Sequence, residues 1–95
     1  MALANDLKVT QKLLETYKLK GLMAISRGSN IVIVRVDGDY KSNVARFKQS
    51  RPGVYILNIA TSSGKWEDTP FEGYPAGLME LLHSTFPWVI ESFDM

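Results

Sequence analysis

The stretch IVIVRVDGDYKSNVARFKQSRPGVYILNIAT, Ile31 to Thr61, decides the fold of this chain. Its first six residues are β-branched except for Arg35, a run that helices disfavour and pleated strands accept. DGDYKSN follows as a polar turn. VARFKQS then alternates, with Val44, Arg46 and Lys48 on one side and Ala45 and Phe47 on the other. In RPG, Pro52 presets its own φ and Gly53 is free to take a positive one, which is tight-turn chemistry. VYILNIAT is the last clear strand. Short turns between apolar strands make an antiparallel meander the economical topology.

The flanks complete the element order. Upstream, LMAIS and the turn RGSN add one more strand before Ile31. Further back, Asn5 and Asp6 are good N-cap residues before LKVTQKLLETYKL, and Leu3, Leu7, Leu14 and Tyr17 recur at helical spacing. Lys18 and Lys20 suit the C-terminal end of that helix, and Gly21 is a natural stop. Downstream, Pro75 suits the first turn of a second helix with Leu78, Met79, Leu81, Leu82 and Phe86 on its apolar side. Gly77 weakens its start and Pro87 ends it. The expectation is one α+β domain over 1–95. It comprises a helix at 1–20, three to four antiparallel strands at 21–63, an aromatic and acidic connector at 64–74, a helix at 75–86 and a packed tail at 87–95. Both helices are expected on one face of the sheet, with Trp88 capping the core.

Composition narrows the class. At 45% hydrophobic and 22% charged residues the chain is globular rather than disordered. It has no cysteine, which rules out disulfides and thiolate metal sites and fits a reducing compartment. Apolar runs such as Ile31 to Val34 are far shorter than a membrane span, and the opening MALANDLKVTQ lacks the uninterrupted apolar core of a signal peptide. A cytoplasmic location is expected. The formal net charge of +1 conceals a gradient. Residues 21–52 hold six Lys or Arg against Asp37 and Asp39, whereas 53–95 hold Lys65 against six carboxylates.

Alternation suggests where a partner would bind. If Arg46 and Lys48 share the face of Ile31, Ile33 and Arg35, that face mixes apolar and basic groups and resembles a contact surface. The bland alternative is that the C-terminal tail covers the isoleucines while the cations reach the rim. In GKWEDTPFEGYP, Gly64 to Pro75, the residues Trp66, Phe71 and Tyr74 could be exposed anchors ringed by Glu67, Asp68 and Glu72. The preferred reading is architectural, with Phe71 and Tyr74 folding back to close the core.

Nucleic acid is the rival ligand. Helix, strands, helix resembles the order of double-stranded RNA-binding domains, which place a lysine-rich start on their final helix. Here that position reads EGYPAGLMELL, with Glu72 and Glu80 and no lysine. No catalytic set stands out. His83 and Ser84 are helix neighbours about 100° apart, so they cannot act together as base and nucleophile. Glu67, Asp68 and Glu72 match a calcium loop poorly. The reading is therefore a small non-enzymatic domain that binds another protein or itself, without cofactor or metal. RNA or DNA binding through the same basic face is the alternative. The contact residues would be Ile31, Ile33, Arg35, Arg46 and Lys48, and secondarily Trp66, Phe71 and Tyr74.

Overall fold

A computed structural model describes residues 2–19, 21–61, 63 and 65–87. Its elements are α1 (Ala2–Thr16), β1 (Leu22–Arg27), β2 (Asn30–Asp37), β3 (Tyr40–Arg51), β4 (Val54–Ala60), β5 (Trp66–Gly73) and α2 (Pro75–Ser84). The strands form a single antiparallel sheet in the order β1-β2-β3-β4-β5, so neighbours in sequence are neighbours in space. Both helices pack on one face of it. The sheet has five strands rather than three or four, because most of the expected connector at 64–74 is β5. Trp88 and the rest of the expected tail beyond Pro87 lie outside the described residues.

The turns follow their glycines. Gly28 (φ 61°) and Gly38 (φ 62°) each hold the first central position of a two-residue hairpin loop, where a positive φ matches the twist of the strands. Pro52 and Gly53 (φ 82°) form the β3–β4 turn with the positive φ at its second central residue.

Helix α1 starts and stops earlier than its sequence suggests. Asn5 and Asp6 lie inside it, and it ends before Gly21. The Leu19 N–H donates to the Leu14 carbonyl at 2.9 Å, and the Lys18 N–H donates to the Glu15 carbonyl at 3.0 Å, with Lys18 at φ 58°. This is the paired-bond cap usually built on glycine. Here it is tied down by burial of Leu14, with Leu19 packed against the same cluster. Gly21 instead serves the entry to β1, its carbonyl accepting the Val36 N–H at 2.7 Å.

One core lies between helices and sheet. Leu22, Ala24, Ile31, Ile33, Ala45, Phe47, Tyr55 and Leu57 face Leu14, Leu78, Met79 and Leu82. Phe71 and Phe86 pack against this cluster and meet edge to face, with ring centroids 5.8 Å apart.

Of three irregularities in the register, the one between β2 and β3 decides which side chains face the helices. Counting back from the Gly38 turn, Asp37 to Val34 pair with Tyr40 to Asn43 in regular steps. Ile33 then pairs with Ala45, Val32 with Arg46 and Ile31 with Phe47. Val44 is the extra residue, a β-bulge whose side chain joins the core beside Ala45. Ile31 and Ile33 are therefore beneath the helices, each 0% exposed, while Arg46 lies on the opposite face. The expected mixed surface of Ile31, Ile33 and Arg35 with Arg46 and Lys48 does not form, because this bulge moves the cations across the sheet.

Two outcomes test this account. Deleting Val44 regularises the pairing without moving any other side chain across the sheet. That variant should retain a cooperative thermal transition, losing about 1–3 kcal/mol for the buried valine. Deleting Val32, which has a regular partner, should abolish the transition, and the reverse pattern would refute the register. A second test concerns Tyr55, whose hydroxyl donates to Asp6 Oδ2 at 2.8 Å. Burial first, then the hydrogen bond and charge of Asp6, push its pKa up to about 12 from 10.0. A raised folded-state pKa gives stability that is complete below pH 10 and lost as pH rises towards 12. Tyr55→Phe should remove that alkaline step in a pH series of melts, and should cost about 1–2 kcal/mol at neutral pH.

Candidate functional site

The face turned away from the helices is built by strand alternation. Residues between those of the core point to it: Ile25 on β1, Val32 and Val34 on β2, Arg46 and Lys48 on β3, Ile56 and Asn58 on β4. From β5 come Trp66, Asp68 and Glu72, paired with Ala60, Asn58 and Ile56 respectively. Val32 and Val34 are buried here, outside the cluster beneath the helices. Lys48, Asp68 and Glu72 are exposed; Ile25, Arg46, Ile56 and Trp66 are half-buried.

A hydrogen-bonded row crosses three strands of this face. Arg46 Nε–H donates to Asn58 Oδ1 at 2.9 Å, and Asn58 Nδ2–H donates to Asp68 Oδ1 at 2.7 Å. The second amide hydrogen of Asn58 reaches the Leu57 carbonyl at 3.2 Å. The Arg46 guanidinium carbon lies 4.7 Å from the centre of the Trp66 ring, a cation–π distance. Asn58 is 0% exposed, and its amide is satisfied at both ends. Among the described residues, no buried side-chain nitrogen or oxygen lacks a hydrogen-bond partner. The row is thus complete within the chain and presents its outer surface, a guanidinium stacked on an indole with a carboxylate alongside.

β5 reaches this geometry by an irregular route. Between Asp68 and Glu72 it carries two more residues than β4 uses between Asn58 and Ile56. Thr69 Oγ1 donates to the Leu57 carbonyl at 2.8 Å there, and Pro70, without an N–H, sits in an edge strand that tolerates it. The irregular segment leaves Phe71 facing the core.

The expected contact residues are therefore dispersed. Ile31 and Ile33 are buried and Arg35 points to their side, half-buried and paired with Leu22. Arg46, Lys48 and Trp66 share the opposite face. Phe71 is packing, and Tyr74, 70% exposed, precedes α2. Glu67 and Asp68 point to opposite faces of β5, so the acids do not converge. His83 stacks on Tyr17 with centroids 4.7 Å apart and planes at 13°, tying the turn after α1 to α2. The Ser84 hydroxyl donates to the Glu80 carbonyl at 2.8 Å, away from any role with His83.

Comparison with known families, curated proteins and solved structures gives no match. The chemistry of the face must be read from its own residues. Asn58 was not among the expected contacts, and Asp68 and Glu72 were expected only as acids ringing Trp66, Phe71 and Tyr74. Asn58 carries a signal that could have marked it: an amide in the middle of the apolar strand VYILNIA needs partners from the flanking strands. An open depression of about 340 Å³ lies on the helix side, at the end of α1, floored by Leu14, Leu19 and Leu22. It is remote from the Arg46 row.

Asn58→Ala should test the row. It strips partners from Arg46 Nε and one Asp68 oxygen, both able to regain some water, so a loss of about 1–3 kcal/mol in urea denaturation is expected. Unchanged stability would mean that the row contributes no net energy.

Proposed function

We propose that this chain is a small, non-enzymatic protein-binding domain, an adaptor, inhibitor or assembly subunit, that engages its partner through the β3–β5 part of the face opposite the helices. The supporting observation is Arg46 stacked on Trp66 and held from below by the buried Asn58. Tryptophan and arginine are the residue types that most often dominate interface energy, and side chains already fixed lose little entropy on binding. Half-buried Ile56 and exposed Lys48, Asp68 and Glu72 supply an apolar centre with a polar rim. No described helix is long and apolar enough to cross a membrane. The cysteine-free composition fits a cytoplasmic setting, which belongs to this reading.

RNA or DNA binding through Arg46 and Lys48 is weaker on these grounds. A phosphate backbone lying along β3 would run within two strands of Asp68 and Glu72. That charge opposes the counterion release on which such binding depends.

A photo-crosslinking residue at position 48, against a control at exposed Lys12 on α1, tests the reading in cells producing the chain. Protein adducts at position 48 and not at 12 are expected. Adducts to nucleic acid alone would replace this reading with the rival one, and equal labelling at both positions would remove both.

A further inference from the structure

Two rows cross β3, β4 and β5 on the face opposite the helices, and they have the same order of charge. One reads Lys48, Ile56, Glu72; the other reads Arg46, Asn58, Asp68. Each has a cation on β3, a neutral side chain on β4 and a carboxylate on β5. Adjacent strands lie about 4.8 Å apart, so Lys48 and Glu72 arise about 10 Å apart in one chain with Ile56 between them. The cation and acid at the ends of that row are poorly placed to neutralise each other. β4 is the one strand among the described five without a charged residue.

A two-fold axis converts this order into self-complementarity. In an isologous interface, residue i meets residue j of the partner and j meets i, while residues on the axis meet their own copies. Place the axis parallel to the strands and above β4. It lays β3 of one copy over β5 of the other and keeps each row at the same height. Lys48 then faces the partner's Glu72, Arg46 faces the partner's Asp68, and Ile56 meets its own copy. An axis above β3 would instead oppose cation to cation, and one above β5 would oppose acid to acid. Aligned packing of two sheets about 10 Å apart accommodates the arrangement. The formal net charge of +1 leaves little overall repulsion between copies.

We propose that the partner of this face is a second copy of the chain, seated by a two-fold axis along β4 that pairs Lys48 with the partner's Glu72 and Arg46 with the partner's Asp68. This rests on the protein-binding reading of the same face and gives that partner an identity. A different protein would need the reversed charge order on two rows at matching spacing. A second copy brings it automatically.

Sedimentation velocity across a concentration and salt series tests the proposal. The wild-type chain should dimerise and weaken as NaCl rises from 50 to 500 mM, on the order of tenfold for a contact held partly by exposed ion pairs. Lys48→Glu and Glu72→Lys should each weaken dimerisation at least tenfold. Mixed in equal amounts they should restore it, because the first variant offers acids at both row ends and the second offers cations at both. Both sites are exposed, so at concentrations where the wild type is monomeric the melting temperature should stay at the wild-type value. If a variant melts early, Lys48→Gln and Glu72→Gln give the same readout of weakening. A monomeric wild type at the highest soluble concentration overturns the proposal, as does a dimer insensitive to both reversals or a mixture that stays monomeric. A monomer that still gives protein adducts at position 48 would discard self-association and retain protein binding; loss of both would discard both.

Discussion

The side chains available to a partner depend on Val44, an extra residue in β3 relative to β2. Without the bulge at Val44, the Gly38 hairpin would pair Ile31 with Arg46 and Ile33 with Val44. Arg46 and Lys48 would then sit beneath the helices and Phe47 would face outward. Burying even one unpaired cation costs several kcal/mol, and exposing a phenylalanine forfeits about 2 kcal/mol more. A bulge costs only the regularity of one ladder position. The observed register therefore wins by a wide margin, placing Phe47 at 0% exposure against Ile31 and freeing Arg46 to reach Asn58 and Trp66.

That bulge also explains what the sequence disclosed and what it hid. The turns were legible because their chemistry is local: Gly28, Gly38 and Gly53 adopt the positive φ that hairpin loops require. The two helices and their common face follow from the spacing of their leucines. Val44 gave no local sign. It is a β-branched residue in an alternating strand, and its extra position is justified only by contacts made far away in sequence. The choice of face was consequently reversed for Ile31 and Ile33. Strand β5 was hidden for another reason. Its Pro70 and carboxylates resemble a connector, yet these are the devices by which an edge strand discourages further pairing. At the opposite edge, Gln11 Oε1 of α1 accepts the Ala24 N–H at 2.9 Å and covers part of β1.

Sequential strand order gives the charge gradient a spatial meaning. In a fold with crossovers, basic and acidic segments would interleave. Here β1 to β3 carry the basic residues and β5 the acidic ones, with neutral β4 between them. The asymmetry along the chain becomes an asymmetry across the sheet. Such a surface steers approach and sets orientation more than it supplies affinity. The affinity must come from the apolar and aromatic groups between the charges, Ile56 and the Trp66 ring.

Asn58 connects register to recognition. A leucine there would add apolar burial in a strand already apolar, so the amide is retained at some cost in transfer energy. It compensates through three hydrogen bonds, two of them to charged side chains on different strands. Those bonds are satisfied only when Arg46, Asn58 and Asp68 lie at one height. A slip of β3 or β5 by one residue would leave a buried amide unpaired, at about 1–3 kcal/mol. Asn58 thereby penalises the wrong alignment of the three strands that present Lys48, Trp66 and Glu72. It also fixes the angle at which Arg46 meets the indole. The residue that sets the pairing of β3, β4 and β5 is thus the one that holds the half-buried Arg46–Trp66 stack in place.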